Sequence, residues 1–225
     1  MFRTAAALSS LLVLAACNWS DSYGGPAIKG SGNLKTETRP VERFTAISVS
    51  GVASLEIEQT GQESLALTAD DNLLPLFTTE MRDGTLFLGV AEGKRLSWSG
   101  KGPRFKVTVS ELRKLQVSGA ASVKATNLDS ESLSISISGA GSGRIAGRSN
   151  NLSISVSGAG SLNAANLQTK RATVIVSGAG DVTVNANDEL DARVSGAGTV
   201  RYIGSPKLQS RVSGAGSIKQ KFITL

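Results

Sequence analysis

Ser-Gly followed by a small residue recurs at Ser50, Ser118, Ser138, Ser157, Ser177, Ser195 and Ser213, and the last six lie 20, 19, 20, 18 and 18 residues apart. Nothing else in the chain restricts the fold as much. A unit this short cannot bury an apolar face by itself, so each copy must stack on its neighbours. Aligned on the serine, the preceding position is β-branched throughout: Val49, Val117, Ile137, Val156, Val176, Val194 and Val212. Two places after the serine stand Val52, Ala120, Ala140, Ala159, Ala179, Ala197 and Ala215. Five places after it are Leu55, Val123, Gly143, Leu162, Val182, Val200 and Ile218.

Within each unit apolar and polar residues alternate, as in Leu133-Ser134-Ile135-Ser136-Ile137 and Val182-Thr183-Val184. A period of two with β-branched residues describes strands that bury one face. Each unit therefore reads as a strand, a tight corner at Ser-Gly-Ala-Gly, a second strand, and a looser polar turn such as Arg148-Ser149-Asn150-Asn151. Glycine suits the corner because it accepts backbone angles closed to other residues. The alanine column is expected to point inward, at the crowded inside of the bend. Columns of like residues arise when like is stacked on like, which favours an all-β parallel β-solenoid over an antiparallel sandwich. Regular rungs are expected over residues 111–218 and a less regular β-rich portion over 40–110. There, Phe44 to Gly51 and Leu55 to Ile57 follow the unit template, and Asp83-Gly84 is a two-residue hairpin signal. Asp70-Asp71-Asn72 is expected to cap a short helical turn at Leu73–Phe77, limited by Pro75.

The first residues have a different purpose. Met1-Phe2-Arg3 is a short basic start, and Ala5 to Ala16 is apolar but too short to span a bilayer as a helix. Residues 1–16 read as a secretory signal. Leu14-Ala15-Ala16-Cys17 resembles a bacterial lipobox, in which the cysteine is acylated and becomes the new N-terminus. Cys17 is the only cysteine in the chain, so no disulfide is available. The expected product is a lipid-anchored protein of the cell envelope of a Gram-negative bacterium. Asn18 in place of aspartate favours the outer over the inner membrane. Residues 17–39 are polar and Gly-rich and read as a flexible tether.

Composition removes several chemistries. With no histidine at all, His-based acid–base catalysis, Ser-His-Asp triads and His-containing metal sites are excluded. The corner glycines imitate a phosphate loop but lack the following helix. Gly180-Asp181 imitates a calcium repeat, yet Ser142, Ser161, Thr199 and Ser217 fill the equivalent positions. The carboxylates worth weighing for hydrolysis are Asp181 with Asp188, Glu189 or Asp191, and Asp70 with Asp71. No catalytic residue, cofactor or metal is expected. The clearest local departure is Gly93 to Lys114, where seven cations face one acid, Glu111. Lys94, Arg95, Trp98, Lys101 and Arg104 are the candidates there for contact with an anionic envelope polysaccharide or lipid. The plainer reading of the segment is a solvated loop with Trp98 packed on an edge. Nucleic acid is not an expected partner.

An ordered set of features carries a family resemblance across Arg39 to Ile218. It comprises Val41 to Ile47, Asp71 to Pro75, Asp83 to Leu86, Leu112 to Leu115, and the Ser-Gly-Ala repeats. In this order the chain resembles the bacterial auto-transporter adhesin head GIN domain family. The resemblance implies a right-handed parallel β-helix and brings no catalytic residues. The expected function is a non-catalytic binding, adhesin-like or structural module. A self-associating structural envelope protein is the alternative, and a polysaccharide-processing β-helix enzyme a more distant one.

Overall fold

The computed structural model describes residues 26–98 and 100–222. The signal segment, Cys17 and the first part of the expected tether lie outside the described residues. In chain order the strands are β1 (Ile28–Lys29), β2 (Leu34–Arg39), β3 (Ala46–Gly51), β4 (Ser54–Gln59) and β5 (Ser64–Asp70). After a 3-10 turn at Leu74–Leu76 come β6 (Phe77–Arg82), β7 (Thr85–Val90), β8 (Leu96–Ser97), β9 (Arg104–Val109) and β10 (Lys114–Gly119). The long strands β11 (Ser122–Gly139), β12 (Ser142–Gly158), β13 (Ser161–Gly178) and β14 (Asp181–Gly196) follow, and then β15 (Thr199–Ile203), β16 (Lys207–Ser213) and β17 (Ser217–Gln220).

The stack is a β-solenoid of about five turns. Parallel pairing places Val49, Val117, Ile137, Val156, Val176, Val194 and Val212 in one column. A second column joins Leu55, Val123, Gly143, Leu162, Val182, Val200 and Ile218. Both point into the core, and their inner members are all but fully buried. The expected polar turn is instead a bend within a continuous strand. There the hydroxyls of Ser130, Ser149 and Thr169 are buried, and each donates to a backbone carbonyl.

The N-terminal portion closes one end. β7 extends the stack beneath β3, and β6 turns back on it through Asp83 and Gly84, both at positive φ as the hairpin signal required. On the next face β9 lies beneath β4, β5 runs antiparallel to β9, and β2 antiparallel to β5. The large aromatics collect here, Phe77 meeting Phe105 edge-on at 6.1 Å.

Three further expectations are corrected. Alanine does not face inward: Ala120, Ala140, Ala159, Ala179, Ala197 and Ala215 are all exposed. The inward corner position is the next one, Ala121, Gly141, Gly160, Gly180 and Gly198, each buried. The alanine amides instead tie the corners together, Ala159 N–H donating to the Gly139 carbonyl at 2.9 Å. The tether does not extend to residue 39, because Leu34–Arg39 is a strand of the cap. Asp70, Asp71 and Asn72 do not cap the 3-10 turn, which has no side-chain cap. They hold the preceding segment: Asp70 accepts the Gly32 amide at 3.2 Å, and Asn72 accepts the Ser31 amide at 2.9 Å and donates to the Lys29 carbonyl at 2.9 Å.

Candidate binding surfaces

Stacking in register turns each outward position of the repeat into a row of side chains running along the solenoid axis. Six places before the serine the row is Ser132, Asn151, Arg171, Glu189 and Lys207. Four places before it, Ser134, Ser153, Thr173, Asp191 and Gln209 form a parallel row. Between them Leu133, Leu152, Ala172 and Leu190 point inward. Just past the bend the two rows line an axial groove of about 660 Å³, which Arg113 also borders. The volume lies within the range of small-molecule sites.

The groove mixes hydroxyls and amides with both signs of charge. Arg171 Nε donates to Asn151 Oδ1 at 3.0 Å, linking adjacent rungs. Arg113 donates through Nε and Nη2 to Glu111 at 2.8 and 2.9 Å. That hydrogen bond holds the Glu111 carboxyl below the usual carboxylate range and raises the Arg113 guanidinium further. Asp191 is paired with Arg193 at 2.7 Å. Such a lining can donate to and accept from sugar hydroxyls along a chain. Among the described residues no three acidic or cysteine side chains converge as metal ligands would.

Most of the residues singled out in the sequence lie elsewhere. Lys94, Arg95, Lys101 and Arg104 are all exposed, with Arg104 the first residue of β9. Trp98 is half-buried against the core and lies over Gly102, where a Cβ would come within 2.8 Å of its Nε1. It is therefore packed rather than presented to solvent. Of the carboxylates weighed for hydrolysis, Asp181 is paired with Arg201 at 3.3 Å, and Asp70 is buried. Glu189 and Asp191 do enter the groove. The groove was not singled out in the sequence, though the same repeat alignment contains its rows. Their signal is a column whose residues change from rung to rung while the columns beside them stay apolar.

Comparison with known proteins agrees with this architecture. A putative adhesin of Bacteroides fragilis NCTC 9343, known from its crystal structure, is 25% identical with a TM-score of 0.71, and the match covers 87% of this chain and 100% of that one. A putative adhesin of Parabacteroides distasonis ATCC 8503 is 21% identical with a TM-score of 0.60, over 87% of this chain and 100% of the other. A putative lipid binding protein of the same strain is 23% identical with a TM-score of 0.55, over 88% and 100%. Functionally described proteins give no significant match. The profile of one family matches residues 43–206, and by it the chain belongs to the family described as "Putative auto-transporter adhesin, head GIN domain".

Proposed function

We propose that this chain is the head of a lipid-anchored envelope protein that binds an extended glycan without transforming it. One observation carries the reading: the axial groove presents a fresh set of polar side chains at every rung. Rungs repeat at about 4.8 Å, close to the advance of one sugar ring in an extended chain, so successive sugars would meet successive rungs. Family membership and the adhesin neighbours support a non-catalytic module at the cell surface or envelope. Among the described residues no helix is long and apolar enough to cross a membrane. Attachment is assigned to acylation of Cys17, with the outer membrane as destination. The exposed cations Lys94, Arg95, Lys101 and Arg104 belong to this reading as contacts with anionic envelope material.

Glycan-array binding of the full chain and of Arg171→Ala with Asn151→Ala tests the groove. The double variant should lose at least tenfold in affinity for the glycans that the wild type retains. Equal binding by both proteins would remove the groove from the proposal. Metabolic labelling with a fatty-acid probe tests the anchor, since Cys17→Ser should be unlabelled.

A second reading, self-association through the solenoid end, is favoured by β16. Among the described residues it pairs only with β14, and all its residues are exposed, including Leu208 and Val212. Light scattering on the wild type and Val212→Lys tests it: the wild type should form dimers or larger species and the variant should not.

A further inference from the structure

The face that follows the corner has an outward row of its own. Six places after the serine, pairing aligns Glu56, Lys124, Arg144, Asn163, Thr183, Arg201 and Lys219, and β9 adds Lys106 beneath Glu56. Five of these side chains are cations and one is an acid. Beside them runs a row of short hydroxyl residues, Ser54, Ser122, Ser142, Ser161, Thr199 and Ser217, interrupted by Asp181 and headed by Arg104. Lys124 and Arg144 line a shallow groove of about 240 Å³ with Ser122, Ser142, Ser161 and Asn163, and the Arg201-paired Asp181 stands at its edge.

The charges on this row are poorly compensated. Among the described residues none of Lys106, Lys124, Arg144 and Lys219 is ion-paired; Arg201 alone has a partner, Asp181. Lys124 and Arg144 are in direct register on adjacent strands, as are Arg201 and Lys219. Like charges so placed repel and disfavour the sheet. The alignment makes this avoidable, since Asn163 and Thr183 occupy the same column in the middle rungs. A row that is unfavourable alone becomes favourable when a ligand of opposite charge lies along it.

We propose that this row is a track for a linear acidic polysaccharide, laid along the solenoid axis with its carboxylates against Lys106, Lys124, Arg144, Arg201 and Lys219. The track spans about 34 Å at the rung spacing, and the serines beside the cations donate to the sugar hydroxyls. Lipid headgroups fit less well. The face offers a single file of charge with hydroxyls beside it, and its apolar side chains point into the core, leaving nothing to enter a bilayer. The inference rests on the reading of the chain as a non-catalytic glycan-binding module, but it concerns a different face.

The test uses the full chain and three probes: a linear polyuronate, an uncharged glycan of equal length, and phosphatidylcholine vesicles containing phosphatidylglycerol. The variant is Lys124→Gln with Arg144→Gln and Lys219→Gln, three exposed positions whose loss should leave the melting temperature unchanged or raised. The wild type should bind polyuronate at low salt and release it as salt rises, since the screening length falls from about 10 Å at 0.1 M to about 3 Å at 1 M. The triple variant should lose at least tenfold at low salt, and Arg171→Ala in the other groove should lose nothing. Equal polyuronate binding by wild type and triple variant overturns the track, as does absence of wild-type binding. Stronger binding to vesicles than to polyuronate replaces the polysaccharide by a membrane surface. Loss of the uncharged glycan in Arg171→Ala, with polyuronate binding intact, supports both faces independently. Failure of every probe would remove the glycan-binding reading altogether.

Discussion

At the corner of each rung, neighbouring residues differ sharply in what they tolerate. Ala159 is exposed, whereas a Cβ on Gly160 would meet Ile137 Cγ2 at 2.7 Å and the Gly141 carbonyl at 3.1 Å. Gly158, at φ +107, would bring a Cβ within 2.6 Å of the Gly139 carbonyl. Ala159→Leu should therefore shift stability by no more than about 0.5 kcal/mol. Gly160→Ala should cost about 1–3 kcal/mol through overpacking, and Gly158→Ala should cost at least as much because strain adds to the clash. Thermal melts of the three variants decide it; a destabilised Ala159→Leu beside a neutral Gly160→Ala would reverse the assignment of inside and outside. The sequence already contained the right parity. Counting by twos from Val156 reaches Gly158, Gly160 and Leu162 and passes over Ala159. The expectation that alanine packs inside a bend took methyl size as the guide, but at Gly141, Gly160, Gly180 and Gly198 the space is too small even for a methyl, and of these corners only that of Ala121 holds one.

Among the elements, the long strands were legible because their alternation and repetition say the same thing twice. The cap strand β2 was not, since Leu34-Lys35-Thr36-Glu37-Thr38-Arg39 carries almost no apolar pattern and is held by its partners. Arg39 supplies much of that hold. Its guanidinium donates to the Phe77 carbonyl at 2.7 Å, the Leu74 carbonyl at 2.8 Å and Thr79 Oγ1 at 3.3 Å, and pairs with Glu37 at 2.7 Å. These bonds fasten β2 to the 3-10 turn and to the start of β6, across the end of the core. Arg39→Met should cost about 1–3 kcal/mol, because two carbonyls lose a charged donor. Arg39→Lys should recover only part of this, since one ammonium cannot reproduce the planar fork. Denaturant titration of both variants measures the effect, and equal midpoints for wild type and Arg39→Met would show that β2 is not needed by the fold. The candidate surfaces were legible only in part. Aligning the repeats yields the rows, but no apolar pattern marks the bend, where Ser130, Ser149 and Thr169 bury hydroxyls bonded to backbone carbonyls.

Across the whole molecule the two ends of the stack are unlike. The N-terminal end is covered by β6, β5 and β2. At the other end, among the described residues, β16 pairs with β14 alone and β17 with β15 alone, and Leu208 and Val212 are 39% and 43% exposed. In a stack where each rung touches only its neighbours, stability is close to a sum of rung and interface contributions. A rung with one interface must then open more readily than a rung with two. Native-state hydrogen exchange should show amides of β16 and β17 exchanging first, β14 and β15 next, and β12 and β13 last. Strands β3 and β4, though in the first part of the chain, should exchange with the slow group, because β7, β9 and the strands behind them seal that side. Exchange of all rungs at one rate would mean that the solenoid opens as a single unit. Early exchange in β3 and β4 would mean that the antiparallel strands do not stabilise the end they cover. The polarity also bears on binding. Both axial surfaces run towards the loose end, through Lys207 on one face and Lys219 on the other. A ligand lying along either should therefore slow exchange most in β16 and β17, where the free protein opens most easily.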